Sequence, residues 1–265
     1  IAVGSYTQLP KGKPLATGVF LRRDDNALKY ADSAGFLYGP SADTSGRAIA
    51  ISPGGSTVVV GADFAATKGG PTHARLLILP ASLDAAKIVN LGDAGAERVG
   101  GVAITSGDFA VAGSRVMNGA GYAFVRPVTE SGKLLPERTW KSGQGTGFAA
   151  LAQRKDGQLL LVGTDVPASG AKVPRGMLVR YDLAAGKQSQ VVYDGAGGKP
   201  LRWRGVTLVG NDAVLIGERV VGAGKTAVRM TRLSAAGKEL FVRDWQGDGT
   251  PGAILPTADG GVMAL

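Results

Sequence analysis

Two residues beyond a recurring glycine, the chain places Tyr6, Asp63, Arg115, Asp165 and Arg219, with Glu218 beside the last. The glycines are Gly4, Gly61, Gly113, Gly163 and Gly217, at intervals of 57, 52, 50 and 54 residues, each closing a short apolar run such as LLLVG. Carboxylates and guanidinium groups carried to one end of a repeated scaffold support two chemistries. A pair of carboxylates hydrolyses glycosides when one holds a proton and the other stays ionised, about 5–5.5 Å apart for retention or about 6.5–9.5 Å for inversion. Guanidinium groups instead capture carboxylate, sulfate or phosphate. Asp63, Asp165 and Glu218 are the candidates for the first chemistry and Arg115 and Arg219 for the second. Arginines so close would hold the carboxylates ionised and oppose the general-acid role.

The surrounding loops are basic: Lys11, Lys13, Lys68, Lys172, Arg175 and Lys225 lie in them, and Arg202 and Arg204 flank Trp203. The preferred reading is therefore a non-catalytic binding surface. Arg115, Arg219 and the basic loop residues attract the ligand, Asp63, Asp165 and Tyr6 orient it, and Glu218, Trp203 and Arg204 complete the binding set. A glycoside hydrolase using the three carboxylates is the alternative. The partner expected is an anionic glycan, an envelope polymer or an acidic protein face. With aromatic residues at 6% and not interleaved with basic ones, nucleic acid is a poor candidate.

Other chemistry is thinly supplied. There is no cysteine, which excludes thiolate catalysis and thiolate metal sites, and His73 is the sole histidine. It opens an apolar run after a glycine-rich loop and reads as a solvent-exposed loop residue. The segment GAGKT, from Gly222 to Thr226, resembles the end of a phosphate-binding loop, but Arg219 stands where that motif needs a glycine. It reads as a hairpin. GQGTG and QGDGT lack the alternating aspartates of a calcium loop. No cofactor or metal is expected.

The elements that must carry these residues repeat with the glycines. Each copy divides into four short apolar segments, clearest in FAALAQ, QLLLVG, MLVRYDL and QSQVVYD. First segments read AIAIS, GVAIT, AALAQ, GVTLV and AILPT, and third segments VFLRR, LLILP, YAFVR, MLVRY and VRMTRL. The fourth lie near LKYAD, KIVNL, PERTW, QVVYD and FVRDW. The turns PGGS, SGD, RKDG, GND and ADGG after the first segments supply residues able to adopt positive φ, as hairpins require. Four-stranded units repeated near 50 residues predict an all-β fold, a β-propeller of four-stranded blades. One domain over residues 1–265 is expected, with five blades, the C-terminal AILPT joining three N-terminal strands to close the ring. Residues 259–265 supply a surplus strand, so a ring of six or more blades follows if the termini are truncated.

The string LSAAGKELFVRDWQGDGTPGAILPTADGGVMAL resembles bacterial exported propellers with delta-60-like repeats of the form D-G-K…W…G-G…A…D-G-G-x-x-x-A-G. The resemblance covers nearly the whole chain and implies fold more than activity, because those motifs encode turns and strand packing.

Composition sets the remaining bounds. At 265 residues with 44% hydrophobic and 19% charged residues the chain suits a globular protein, and no apolar run reaches the roughly 20 residues of a membrane helix. Forty-two glycines fit tight turns between strands. The net charge of +9 favours anionic partners. Lack of cysteine suits an oxidising compartment without fixing it, and a start at Ile1 rather than an initiator Met fits a signal peptide either removed or not included, so a periplasmic or secreted location is the expectation.

Overall fold

The computed structural model describes residues 2–8, 16–24, 30–37, 43–67, 70–80, 82, 86–92, 95–105, 107–141, 143–168, 173–194, 199–222, 225–246, 250–257 and 259–264, with side chains described from Thr44 onward except at 143, 144 and 190–194. Two compact units divide the chain, Ile1–Asn118 with Val125–Glu137, and Gly119–Phe124 with Arg138–Leu265. No helix occurs among the described residues, and none is long and apolar enough to cross a membrane.

Every sheet is an antiparallel meander. Strands β1 (Ala2–Gln8), β2 (Ala16–Asp24) and β3 (Tyr30–Leu37) form a three-stranded sheet in that order. A four-stranded sheet follows from β4 (Asp43–Ile51), β5 (Thr57–Ala65), β6 (His73–Pro80) and β7 (Lys87–Asn90). The next contains β8 (Ala96–Ile104), β9 (Phe109–Met117), β10 (Ala120–Val128) and β11 (Arg138–Trp140). Then come β12 (Gly143–Gln153), β13 (Gln158–Pro167), β14 (Arg175–Asp182) and β15 (Lys187–Asp194). The last four-stranded sheet is β16 (Leu201–Val209), β17 (Asp212–Gly222), β18 (Lys225–Leu233) and β19 (Glu239–Gln246). Strands β20 (Ile254–Pro256) and β21 (Val262–Ala264) pair with each other. Each apolar segment assigned from the repeat falls in its expected strand, but AILPT pairs with β21 rather than with β1–β3 among the described strand pairings.

The turns after the first strands obey the chemistry read from their residues. Gly55, Gly107, Gly157, Gly210 and Gly260 all have positive φ, between 62° and 101°. Second strands are buried along nearly their whole length because both faces are covered. In the first unit β8 lies across β4, β5 and β6, and in the second β16 lies across β12, β13 and β14. Val58, Val60, Ala62, Leu77 and Leu79 form one core; Leu160, Val162, Leu178, Leu201, Trp203, Val206 and Leu215 form another. Outer strands are wetter: β19 is exposed at every residue except Val242.

The repeat glycine has a local cause. In each four-stranded sheet the first strand carries a register shift beside that glycine, between Gly46 and Ala48, Val99 and Gly101, Phe148 and Ala150, and Trp203 and Gly205. Such a bulge inserts one residue and pushes backbone toward the neighbouring strand. A Cβ on Gly163 would overlap the carbonyl oxygen of Gly147, and one on Gly217 the carbonyl oxygen of Arg202. Main chain cannot yield as a side chain can. Gly163→Ala and Gly217→Ala should each lower the unfolding free energy by about 2–4 kcal/mol. Gly157→Ala, at φ 83° with open space around it, should cost only about 1–2 kcal/mol from its left-handed backbone. Urea midpoints of the three variants check this ordering.

Candidate functional site

The position two residues past the glycine is an ion-pair position in all four complete sheets, and in each at least one partner lies in the same sheet. Asp63 on β5 accepts from Arg47 Nε at 2.6 Å, and Arg47 is the bulge residue of β4. The other carboxylate oxygen accepts from the Val99 backbone N–H of β8 at 2.8 Å, tying two sheets together. Burial, the largest influence, pushes Asp63 above the ordinary carboxylate range against the opposing pull of Val99 and Arg47.

On β9 the sign of the charge reverses. Arg115 stands directly opposite Glu97 on β8 and donates from Nε at 2.6 Å. Its two Nη groups reach Glu137 at 2.8 and 3.0 Å, in a bidentate fork. Arg126 Nη2 lies 2.8 Å from Glu137 and its Nη1 donates to the Leu91 carbonyl. Glu97, fully buried, also accepts from Ala74 N–H at 3.2 Å. Two cations and two carboxylates thus meet in the interior, with Arg126 Nε buried without a hydrogen-bond partner among the described residues. Arg115 is committed there, and sits too deep to meet a ligand at the surface.

The fourth and fifth sheets return to pairs nearer the surface. Asp165 on β13 is fully buried; Thr146 donates to one oxygen at 3.0 Å and Arg175, across the sheet on β14, to the other at 2.8 Å. Arg219 Nη1 donates to Asp244 of β19 at 2.9 Å, and Arg229 holds the same carboxylate at 2.8 and 3.0 Å. Glu218 is held by Arg204, the bulge residue of β16, at 3.1 and 3.3 Å. Arg47, Arg175 and Arg204 remain 42%, 37% and 38% exposed respectively. The three share one design: Nε rests on a second-strand carboxylate while the side chain stays at the surface.

Several expected contributors stand elsewhere. Trp203 is 2% exposed, within the core with Leu160 and Leu201, and its indole lies where a Cβ on Gly176 would be. The alternation L-R-W-R carries the signal, because Leu201 and Trp203 share the buried face while Arg202 is exposed and Arg204 half-exposed. Tyr6 lies on β1 opposite Gly18, its side chain outside the described residues, as are Lys11, Lys13, Lys68 and Lys172. His73 is not a loop residue: it opens β6 opposite Phe64, half-buried. Gly222 and Lys225 close the β17–β18 hairpin, as GAGKT requires. Sequence reasoning missed the partners Arg47, Glu97, Glu137 and Asp244, which lie 16 to 25 residues from the groups they pair. For the hydrolase reading, Asp63 has the raised pKa of a proton donor, yet both its oxygens are engaged and it is 2% exposed. No cluster of three or more metal-ligating side chains occurs among the described residues.

Asp244 gives these pairs a pH signature. The hydrogen bond from Arg229, with Arg219 adding to it, holds its carboxyl below the ordinary value. A lowered folded pKa contributes stability above the unfolded value, which is lost as pH falls through the folded one. Asp63, shifted the other way, contributes below its unfolded value and loses that contribution as pH rises. The gap in urea midpoint between wild type and Asp244→Asn should therefore be present near pH 7 and close as pH falls through the folded pKa of Asp244. A gap that stays constant with pH contradicts the assignment.

No protein-family model matches the chain, and no curated protein matches it. Among solved structures it is similar to a protein from Lactobacillus plantarum, at 13% identity and TM-score 0.51, covering 99% of this chain and 88% of that one. It is also similar to the subtype N10 neuraminidase-like protein of a little yellow-shouldered bat isolate from Guatemala, at 8% identity and TM-score 0.51 over 74% of this chain. It spans 57% of that protein's length. The β-propeller domain of the Trilobed protease from Pyrococcus furiosus, which has an open velcro topology, matches at 10% identity and TM-score 0.41, over 80% of this chain and 59% of that one. Identities this low speak to fold alone. With four successive four-stranded antiparallel meanders, the fold is all-β and propeller-like.

Proposed function

We propose that this chain is a non-catalytic binding propeller whose basic surface takes an anionic partner: a glycan, an envelope polymer or an acidic protein face. In this reading the chain is a single five-bladed ring, closed by its N- and C-terminal strands, and works in the periplasm or outside the cell. One observation carries the proposal. Arg47, Arg175 and Arg204 are half-exposed, and each is oriented by a carboxylate on the neighbouring second strand. Orienting an arginine beforehand removes part of the entropy cost of capturing an anion. Exposed Arg202 and Lys225 and the net charge of +9 add the attractive field. Arg219 lies at the same end of its sheet and contributes to that field, whereas Arg115 supports the scaffold from inside.

The test is binding of dextran sulfate and of polyglutamate to wild type and to the triple variant Arg47→Gln, Arg175→Gln, Arg204→Gln, with circular dichroism to check the fold. The triple variant should lose about tenfold or more in affinity and show a shallower dependence on salt. Unchanged affinity and unchanged salt dependence would count against the reading.

A further inference from the structure

One basic cluster lies away from the surface arginines, in the seam where β16 lies across β12, β13 and β14. Register sets Ala152, Leu160 and Arg180 in one row over those three strands. Ala152 and Leu160 pack into the core shared with Trp203, Leu215 and Leu233, so this row, Arg180 included, faces the sheet β16–β19. Arg154, two residues beyond Ala152, crosses the seam: its Nη1 donates to the Ala235 carbonyl, in the turn after β18, at 3.2 Å. Its Nε lies 3.5 Å from Asp156, a carboxylate 55% exposed. Asp182, the next residue on this face of β14, accepts from Ala185 N–H in its own turn at 2.9 Å. Arg180 is left without a carboxylate among the described residues, and its Nε is buried with no hydrogen-bond partner there. Across the seam Thr231 of β18 stands in the row of Leu215, and its buried hydroxyl is likewise unpartnered among the described residues. Burial, and then the positive charge of Arg154, push the Arg180 guanidinium below its ordinary pKa, with Asp156 opposing.

We propose that Arg154 and Arg180 form a site for a small free oxyanion of the phosphate or sulfate class, which ties the two sheets together at this seam. The cluster is short of negative charge. Two guanidinium groups share one loosely held, solvent-exposed carboxylate, and a cation taken out of water needs a counter-ion to replace its lost hydration. A tetrahedral oxyanion has enough acceptor oxygens to take charge-assisted bonds from both arginines at once. The place and depth of the site set it apart from the surface arginines. Arg180 stands five residues along β14 from Arg175, roughly 17 Å away. Arg154 is 15% exposed, against 37% for Arg175. A polymer lying on the surface does not thread a seam spanned by the bond from Arg154 to Ala235, whereas a free ion fits between the two sheets. This site is independent of the polymer-binding reading above.

The experiment titrates inorganic phosphate, sulfate and O-phosphoserine by calorimetry into wild type, Arg154→Gln, Arg180→Gln and Arg180→Met, and compares thermal midpoints in phosphate with those in chloride of equal ionic strength. Wild type should bind one phosphate or sulfate per chain and melt higher in phosphate than in chloride. Each substitution should weaken that binding by about tenfold or more and remove the difference in midpoint. In chloride Arg180→Met should melt no lower than wild type, because it removes a buried cation whose donor is unmet, so its lost response to phosphate is not a loss of fold. Wild-type phosphate affinity in the Arg154 and Arg180 variants overturns the site. Absence of saturable binding by wild type, or equal melting in the two salts, overturns it as well. Loss of phosphate binding in the triple arginine variant with Arg180→Gln unaffected places the ion at the surface arginines and overturns the seam. Full phosphate binding by the triple variant, lost in Arg180→Gln, supports the seam whatever the outcome with polymers. O-phosphoserine bound as tightly as phosphate overturns the assignment to a free ion.

Discussion

One steric constraint underlies the arrangement: beside the bulges of β12 and β16, backbone approaches the second strand closely enough that the residue facing it has no room for a side chain. At Gly163 and Gly217 the obstruction is a carbonyl oxygen, and at Gly61 it is the side chain of Val99. The glycine lets the second strand stay flat against its neighbour, buried on both faces. The bulge in turn places an additional residue, Arg47 or Arg204, where it can reach across to a carboxylate on the second strand. Packing and charge placement therefore come from the same local irregularity.

Charge at the end of the second strand would be costly without a partner, since a buried ion loses its hydration. The sheets solve this in the same way with different residues. Asp63 takes Arg47, Asp165 takes Arg175, and Arg115, of opposite sign, takes Glu97 and Glu137. What persists through the repeat is the pairing, with either sign acceptable. The functional consequence depends on depth. Where the arginine is the outer partner it is held ready at the surface, and where it is the inner partner, as in Arg115, it braces the interior.

Much of this organisation can be read in the sequence, and the boundary is physical. The period of the glycines, the four apolar segments and the turn residues are local signals, and they locate the strands and the positive-φ glycines. Period-two alternation around Trp203 is a local signal for a core residue too, but its flanking arginines make it look like a ligand contact. Partners of the charged residues are another matter. Arg115 finds Glu137 across 22 positions, and Asp63 finds the Val99 backbone across 36. Nothing in the local pattern encodes which of the 30 basic residues meets which of the 21 acids. Composition alone makes Arg115 and Arg47 equivalent, although only Arg47 reaches the surface.

In the proposed binding reading, orientation of surface arginines by their carboxylate partners, more than net charge, makes the anion-binding surface. The most direct measurement is dextran sulfate affinity in the combined variant Asp63→Asn, Asp165→Asn, Glu218→Gln, with near-native circular dichroism as the condition for comparison. Removing three negative charges takes the formal net charge from +9 to about +12, so bulk attraction rises. If orientation governs, affinity falls despite the added positive charge. An affinity that rises would show that charge alone draws the ligand and would contradict the account.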